Sequence, residues 1–276
     1  MRHIVVGASG QVGSHLLRCL GAIGEQAVGT YYSRPAPGLI YLDLAGDEAA
    51  LAAAVAGTEW VWIPAAMPDV DRCEREPAWS WQVNVKGPLK LARAAAQAGA
   101  RTVFFSSDYV FDGIGGPFAE GDRPRPLQTY GRHKLEAEQA LLADVPEALV
   151  VRTAWVYSKE RHPRNFVHRV VEALAAGQRV PAAEDQWNTP TDAEALVSAA
   201  WEAARAGLSG VLHLAGPERL TRYEFTCRIA EAAGYPRDRV EPVALGSLSL
   251  PAARPLDGGL KSTRWAPVGA PFGGGT

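Results

Sequence analysis

Apolar residues in this chain follow two alternating rhythms. His3-Ile-Val-Val-Gly7 is a short apolar run ending in glycine, and Val12, Leu16, Leu17 and Leu20 follow at helical spacing. This predicts a strand, a tight turn and a helix. Further strands are expected at Gln26–Tyr32, Trp60–Ile63, Thr102–Phe105 and Ala148–Arg152, with helices from about Trp79 to Ala98 and from Tyr130 to Leu142. Strands that alternate with helices require a parallel sheet covered on both faces, so the fold class is α/β, doubly wound. After residue 155 the rhythm loosens into polar, proline-bearing stretches such as Lys159-Glu-Arg-His-Pro-Arg164 and Asp185-Gln-Trp-Asn-Thr-Pro190. The expected organisation is a sheet domain over 1–155, a smaller lobe over 156–266 with some chain returning to the sheet, and a flexible Gly- and Pro-rich tail over 267–276.

The first turn carries chemistry. In Gly7-Ala-Ser-Gly-Gln-Val-Gly13, Gly7 permits the turn, Gly10 lets backbone approach a pyrophosphate, and Gly13 allows helix to pack on strand. The helix N-terminus adds amide donors, so Gly7, Gly10, Gln11, Val12 and Gly13 are candidate dinucleotide contacts. Where a ribose-binding acid is expected, about 20 residues beyond the loop, the chain reads Ser33-Arg34. A hydroxyl and a guanidinium suit a 2′-phosphate, which favours NADPH over NAD, with NAD still possible.

Tyr130 and Lys134 stand four residues apart, on one face of the predicted helix. A cation near a phenol favours its ionised form, so this pair reads as a proton-exchanging tyrosine served by a lysine. Alone, the spacing is an ordinary amphipathic pattern; downstream of the glycine loop it points to a nicotinamide-dependent oxidoreductase.

Composition narrows the rest. At 276 residues and 47% hydrophobic the chain can bury a sizeable core, and a net charge of −2 gives no electrostatic reason to expect nucleic acid or an anionic membrane as partner. Cys19, Cys73 and Cys227 are odd in number and widely spaced, without a C-x-x-C, so neither a disulfide framework nor a zinc site is expected. No apolar stretch reaches the roughly 18 residues of a membrane span, and a strand entered at residue 3 leaves no room for a signal peptide. The expectation is a cytoplasmic protein, monomer or homodimer, acting on a small molecule.

Nearly the whole length resembles the extended short-chain dehydrogenase/reductases, and within them the dTDP-4-dehydrorhamnose reductase branch. The resemblance rests on the glycine loop, Tyr130-Gly-Arg-His-Lys134, Ser106-Ser-Asp-Tyr-Val-Phe-Asp-Gly113, Pro117-Phe-Ala-Glu-Gly-Asp122, Arg152-Thr-Ala-Trp-Val-Tyr157, Asn165-Phe-Val167 and Asp185-Gln-Trp-Asn-Thr-Pro-Thr191. It implies a Rossmann-type cofactor domain with a C-terminal substrate-binding lobe, and a catalytic triad of Ser107, Tyr130 and Lys134. In that triad Ser107 would hold the substrate carbonyl, Tyr130 would give its proton to the developing alkoxide, and Lys134 would hold the cofactor ribose and keep the Tyr130 pKa low. If the strand continues, Ser106 would point to the opposite face from Ser107. The resemblance also implies Asp43 and Leu44 at the adenine, with Asp43 equally readable as a helix cap, and Ala65-Ala66 near the cofactor ribose. Val110, Trp155, Asn165, Gln186 and Arg254 become candidate substrate contacts, each with a packing or surface role as its alternative.

The implied function is NADPH-dependent reduction of a keto group on a nucleotide-linked sugar or a similar small molecule. Two alternatives stay open: a sugar-nucleotide epimerase, and a non-catalytic NADP-binding regulatory subunit, since the regulatory subunit of methionine adenosyltransferase is similar to this same branch. Tyr109 stands where related dehydratases carry a Glu, which argues against dehydration. Pro64 and Met67-Pro68 depart from the family pattern beside the nicotinamide, and His15 occupies a region where some relatives carry a metal-linking acid, so no metal is expected.

Overall fold

A computed structural model of the chain describes residues 1–160 and 165–272. Its centre is a seven-stranded sheet made of β1 (Arg2–Val5), β2 (Gln26–Tyr31), β3 (Leu39–Tyr41), β4 (Trp60–Ile63), β5 (Arg101–Ser107), β6 (Leu149–Thr153) and β7 (Gly210–His213). The spatial order is β7-β6-β5-β4-β1-β2-β3, and every neighbouring pair is parallel. The expected strands all appear. The short β3, with only three residues and two of them exposed, has too little apolar periodicity to be read from sequence.

The helices are α1 (Gln11–Ala22), α2 (Glu48–Val55), α3 (Val70–Arg75), α4 (Pro77–Trp81), α5 (Gly87–Gln97), α6 (Thr129–Asp144), α7 (Phe166–Ala175), α8 (Ala193–Arg205) and α9 (Arg222–Ala232). Alternate residues of each strand feed opposite cores, as a doubly wound sheet demands. Trp60, Trp62, Val103 and Phe105 meet Leu16, Leu20 and Trp201 of α1 and α8 on one face. Val61, Ile63 and Phe104 meet Leu51, Leu91 and Leu141 of α2, α5 and α6 on the other. Large apolar side chains buried in this way contribute about 1.5–3 kcal/mol each.

The expected helix from Trp79 to Ala98 is interrupted. Between α4 and α5, Gln82–Lys86 forms a π-turn. Pro88 lacks the N–H that would bond one turn back, and the wider turn accommodates the loss. It also turns Asn84 inward, where its amide clamps the backbone of Met67: Oδ1 accepts from the Met67 N–H at 2.8 Å, and Nδ2 donates to the Met67 carbonyl at 3.2 Å.

Beyond β6 the chain builds a further apolar cluster, apart from the two sheet cores, from Tyr157, Val170, Leu174, Leu220, Phe225, Ile229 and Val240. Val180–Ala183 and Val240–Val243 pair in parallel beside it. Residues 193–213 leave this lobe and return to the main sheet as α8 and β7. The segment read as a flexible tail is without helix or strand over 267–272, yet it is packed: Val268 is buried and donates to the Ala215 carbonyl, and Phe272 meets Tyr157 and Phe225 edge-on. Residues 273–276 of that tail, and 161–164 of the polar stretch, lie outside the described residues. Among the described residues no helix is long and apolar enough to cross a membrane.

Candidate active site

The strand order reverses between β1 and β4, and ligands of open α/β sheets bind at such a switch point, beyond the carboxyl ends of the strands. A cavity of about 640 Å³ lies there. The loop after β1 forms one wall. Gly7 has φ +86°, and a Cβ on it would come within 2.9 Å of the Ala65 backbone. A Cβ on Gly13 would run into the Gly7 carbonyl oxygen. Both glycines therefore let the loop close tightly on β4 and α1 while keeping its amides near the cavity.

Every residue read as a cofactor contact lines this cavity: Gly7, Gly10, Gln11, Val12, Gly13, Ser33, Arg34, Asp43, Leu44, Ala65, Ala66, Tyr130 and Lys134. Asp43 holds a local turn, Oδ1 accepting from the Ala45 N–H at 2.8 Å, but it is not the helix cap of its alternative reading, since the N-cap of α2 is Asp47. Gln11 donates to the Ser158 hydroxyl at 3.2 Å and ties the loop to the chain that enters the second lobe. Ser33 and Arg34 line the outer end, with Tyr31 and Tyr32. A glycine cradle that a side chain would fill, opening toward a hydroxyl and a guanidinium, fits a dinucleotide bearing a 2′-phosphate.

The opposite wall carries the proton chemistry. Ser107 ends β5 in extended geometry beside Thr153 of β6. Its Oγ donates to Asp108 Oδ1 at 2.8 Å and accepts from the Tyr109 N–H at 3.2 Å. Asp108, which the sequence reading passed over, is buried, accepts from Asn188 Nδ2 at 2.8 Å, and is pushed up to about 6 by burial. Ser106 also borders the cavity, although its strand neighbours Phe105 and Ser107 alternate with it; its hydroxyl is buried without a partner among the described residues. Ser107, the one oriented by a carboxylate and an amide, is the better placed of the two.

Tyr130 sits near the start of α6, whose N-cap Gln128 accepts from the Gly131 N–H, while Glu74 of α3 holds the Thr129 N–H at 2.6 Å and its hydroxyl at 2.7 Å. One turn on, Lys134 Nζ donates to the Phe105 carbonyl at 2.8 Å, lies 4.5 Å from the Phe104 ring centroid and 5.9 Å from that of Tyr130. Here the structure corrects an expectation. The Tyr130 phenol is raised, not lowered: burial dominates, Asp108, Cys73 and Tyr109 add to it, and only Ser107 pulls the other way. Lys134 is itself lowered to about 8, by burial, with Glu138 opposing. Its charge is directed at a carbonyl and an aromatic face. The consequence is a phenol that keeps its proton, which is the form a proton donor needs.

Of the candidate substrate contacts, Ser107 and Trp155 line the cavity and four do not. Val110 points into a small core with Phe111, Phe118 and Leu260. Asn165 is the N-cap of α7, bonded to the Val167 N–H and to the carbonyls of Ser158 and Glu160. Gln186 donates to the Pro255 carbonyl, and Arg254 pairs with Asp71 at 2.9 Å. These four hold up the walls of the site. The reading missed Arg222, which lines the cavity with its guanidinium 3.3 Å from the Trp155 ring centroid. Among the described residues no group of His, Cys, Asp or Glu is placed to hold a metal ion.

Residues 1–271 match the family model described as the RmlD substrate binding domain. The chain is 38% identical over 275 residues to the dTDP-4-dehydrorhamnose reductase of Mycobacterium tuberculosis, covering 97% of this chain and 87% of that protein. A crystal structure of a dTDP-4-dehydrorhamnose reductase from Clostridium acetobutylicum superposes with a TM-score of 0.86 at 29% identity, covering 95% of this chain and 90% of that one. A second crystal structure of a dTDP-4-dehydrorhamnose reductase, from Bacillus anthracis and solved in complex with NADP, has a TM-score of 0.85 at 25% identity over 94% of this chain and 90% of its own.

Proposed function

The chain belongs to the RmlD substrate binding domain family of extended short-chain dehydrogenase/reductases, and on that premise we propose that it reduces a keto group on a nucleotide-linked sugar, such as dTDP-4-dehydrorhamnose, with NADPH as donor. The observation that carries this reading is that one cavity has the glycine loop on one wall and Ser107, Tyr130 and Lys134 on the other. NADPH, when bound, supplies the hydride. Ser107, its Oγ fixed by the Tyr109 amide, turns its one O–H from Asp108 to the carbonyl oxygen of the bound substrate. Tyr130 transfers its proton to that oxygen as negative charge develops, and the new bonds are one C–H and one O–H on the former carbonyl. Lys134, with Nζ 5.9 Å from the Tyr130 ring centroid, provides the nearby cation that favours the phenolate left behind. An intact set of these three residues favours turnover over a purely regulatory role, and Tyr109 after Asp108 gives no carboxylate for elimination.

The test is the loss of NADPH or NADH absorbance with purified protein and dTDP-4-dehydrorhamnose. NADPH is expected to be consumed at least roughly 10-fold more efficiently than NADH, the range that one phosphate–guanidinium contact supplies. Cofactor binding without oxidation on any nucleotide-linked ketosugar would replace the reductase with a binding protein.

The pH profile follows from the two shifted groups. Lys134, at about 8, is a cation below that pH and neutral above it, whereas Tyr130 keeps its proton throughout the same range. The kcat/KM for reduction should therefore fall as pH rises through about 8. In Lys134→Arg, whose guanidinium does not titrate, this limb should vanish; its persistence would assign it to another group.

A further inference from the structure

The glycine loop, the triad and Arg34 account for one end and the middle of the cavity, but not for Arg222. This residue opens α9, and its backbone is fully used: its N–H donates to the Gln186 carbonyl and its carbonyl accepts from Thr226 Oγ1. Its guanidinium has a different environment. It lies over two rings, 3.3 Å from the centroid of Trp155 and 4.3 Å from that of Phe166, and no carboxylate among the described residues lies within ion-pair distance of it. Two groups face it electrostatically: the Tyr109 phenol, pushed up by burial so that it keeps its proton, and Asp108, which already accepts from Ser107 and Asn188. Arg169 adds positive charge nearby. Burial lowers Arg222 only to about 10, so it is a cation at neutral pH.

Trp155 supplies an independent observation. It is the one non-glycine residue among those described with positive φ, at +36°, a conformation that persists only where surrounding structure enforces it and that concentrates at ligand sites. That backbone places the indole against Arg222 on the cavity wall, with Nε1 buried and without an acceptor. Two donors, one charged, thus share one end of the cavity, and each lacks an acceptor from the protein. A guanidinium fixed on an aromatic platform keeps its edge N–H groups free for a planar or tetrahedral oxyanion.

We propose that Arg222, positioned by Trp155, is the subsite for an anionic oxygen group of the substrate, either a phosphoryl of the nucleotide diphosphate or a carboxylate on the sugar. The inference rests on the proposed ketosugar reading and deepens it, because it makes Arg222 the residue that sets which nucleotide-linked sugars are accepted.

The experiment is titration calorimetry on the full chain with saturating NADP, so that the glycine loop is covered. The ligands are dTDP, UDP-glucose, UDP-glucuronic acid and inorganic pyrophosphate, with wild type, Arg222→Gln and Arg222→Lys. The expected result is a loss of roughly 10- to 100-fold in affinity in Arg222→Gln, partly restored in Arg222→Lys, with NADP affinity unchanged. Equal losses for the first three assign the diphosphate. A wild-type preference for UDP-glucuronic acid over UDP-glucose that disappears in Arg222→Gln assigns the carboxylate. Pyrophosphate binding that depends on Arg222, with no nucleotide bound, keeps the subsite and overturns the nucleotide-sugar reading. Affinities that Arg222→Gln leaves unchanged, or weakens together with NADP affinity and thermal stability, overturn the subsite, as does a wild type that binds none of the four ligands.

Discussion

Tyr130→Phe is expected to lower kcat for ketosugar reduction by about 10³-fold, equivalent to about 4 kcal/mol of barrier, while NADPH affinity changes by no more than about twofold. The substitution removes one oxygen and leaves the ring, which packs with Met67 and Cys73 and meets Tyr109 edge-on. The phenol is raised by burial, so the wild type holds its proton until a stronger base, the developing alkoxide, presents itself. Phe has no proton to give, and Ser107 cannot replace it, because an aliphatic hydroxyl is a far weaker acid than a phenol. The measurement is single-turnover absorbance loss of NADPH, which separates chemistry from binding. A mutant that retains more than about a tenth of the wild-type rate constant would assign the proton to another group.

Glu138→Ala is expected to destabilise the fold by about 3–5 kcal/mol, read as a lowered denaturation midpoint at unchanged slope. Glu138 lies two turns beyond Tyr130 on α6 and meets Arg152 of β6 with both oxygens, the shortest contact being 2.6 Å. Their side chains are only 2% and 4% exposed, so removal of the acid leaves a guanidinium buried without its carboxylate. His213 of β7 lies against the same guanidinium and is pushed down to about 4, chiefly by burial and then by Arg152, so it stays neutral and offers no compensating charge at neutral pH. Because the pair ties the helix carrying Tyr130 and Lys134 to the sheet, the loss should reach the site as well. A change below about 1 kcal/mol would mean that water reaches Arg152 in the mutant.

The parts of the site legible in the sequence are those written in local spacing. A strand, three glycines and a helix lie within 20 residues, and Tyr130 and Lys134 lie on one helical turn. The doubly wound sheet was legible for the same reason: β4 reads as a continuous apolar run because both of its faces are covered. Side-chain direction in irregular segments was not legible. Val110 was expected at the substrate, but on the short turn after β5 it faces inward. Asn165 carried a signal that could have corrected its reading, since Asn ahead of an apolar helical run is a preferred N-cap. Thr221 and Glu224 form a capping box that marks the start of α9 and so places Arg222 at its first turn. That Arg222 then lies across Trp155, 67 positions earlier, is a tertiary fact with no local trace. The same holds for the Tyr130 pKa: spacing showed the lysine but could not show how far burial outweighs it.

The central claim is that this cavity moves hydride from NADPH to a sugar carbonyl. The most direct test is reaction of NADPH deuterated at the transferring position of the nicotinamide with dTDP-4-dehydrorhamnose, followed by mass spectrometry of the sugar product. The account predicts one deuterium at the carbon that was the carbonyl, with one NADP formed per product and no transfer in Tyr130→Phe beyond its residual rate. Product that forms without the label, or an unchanged sugar beside intact cofactor, would contradict it.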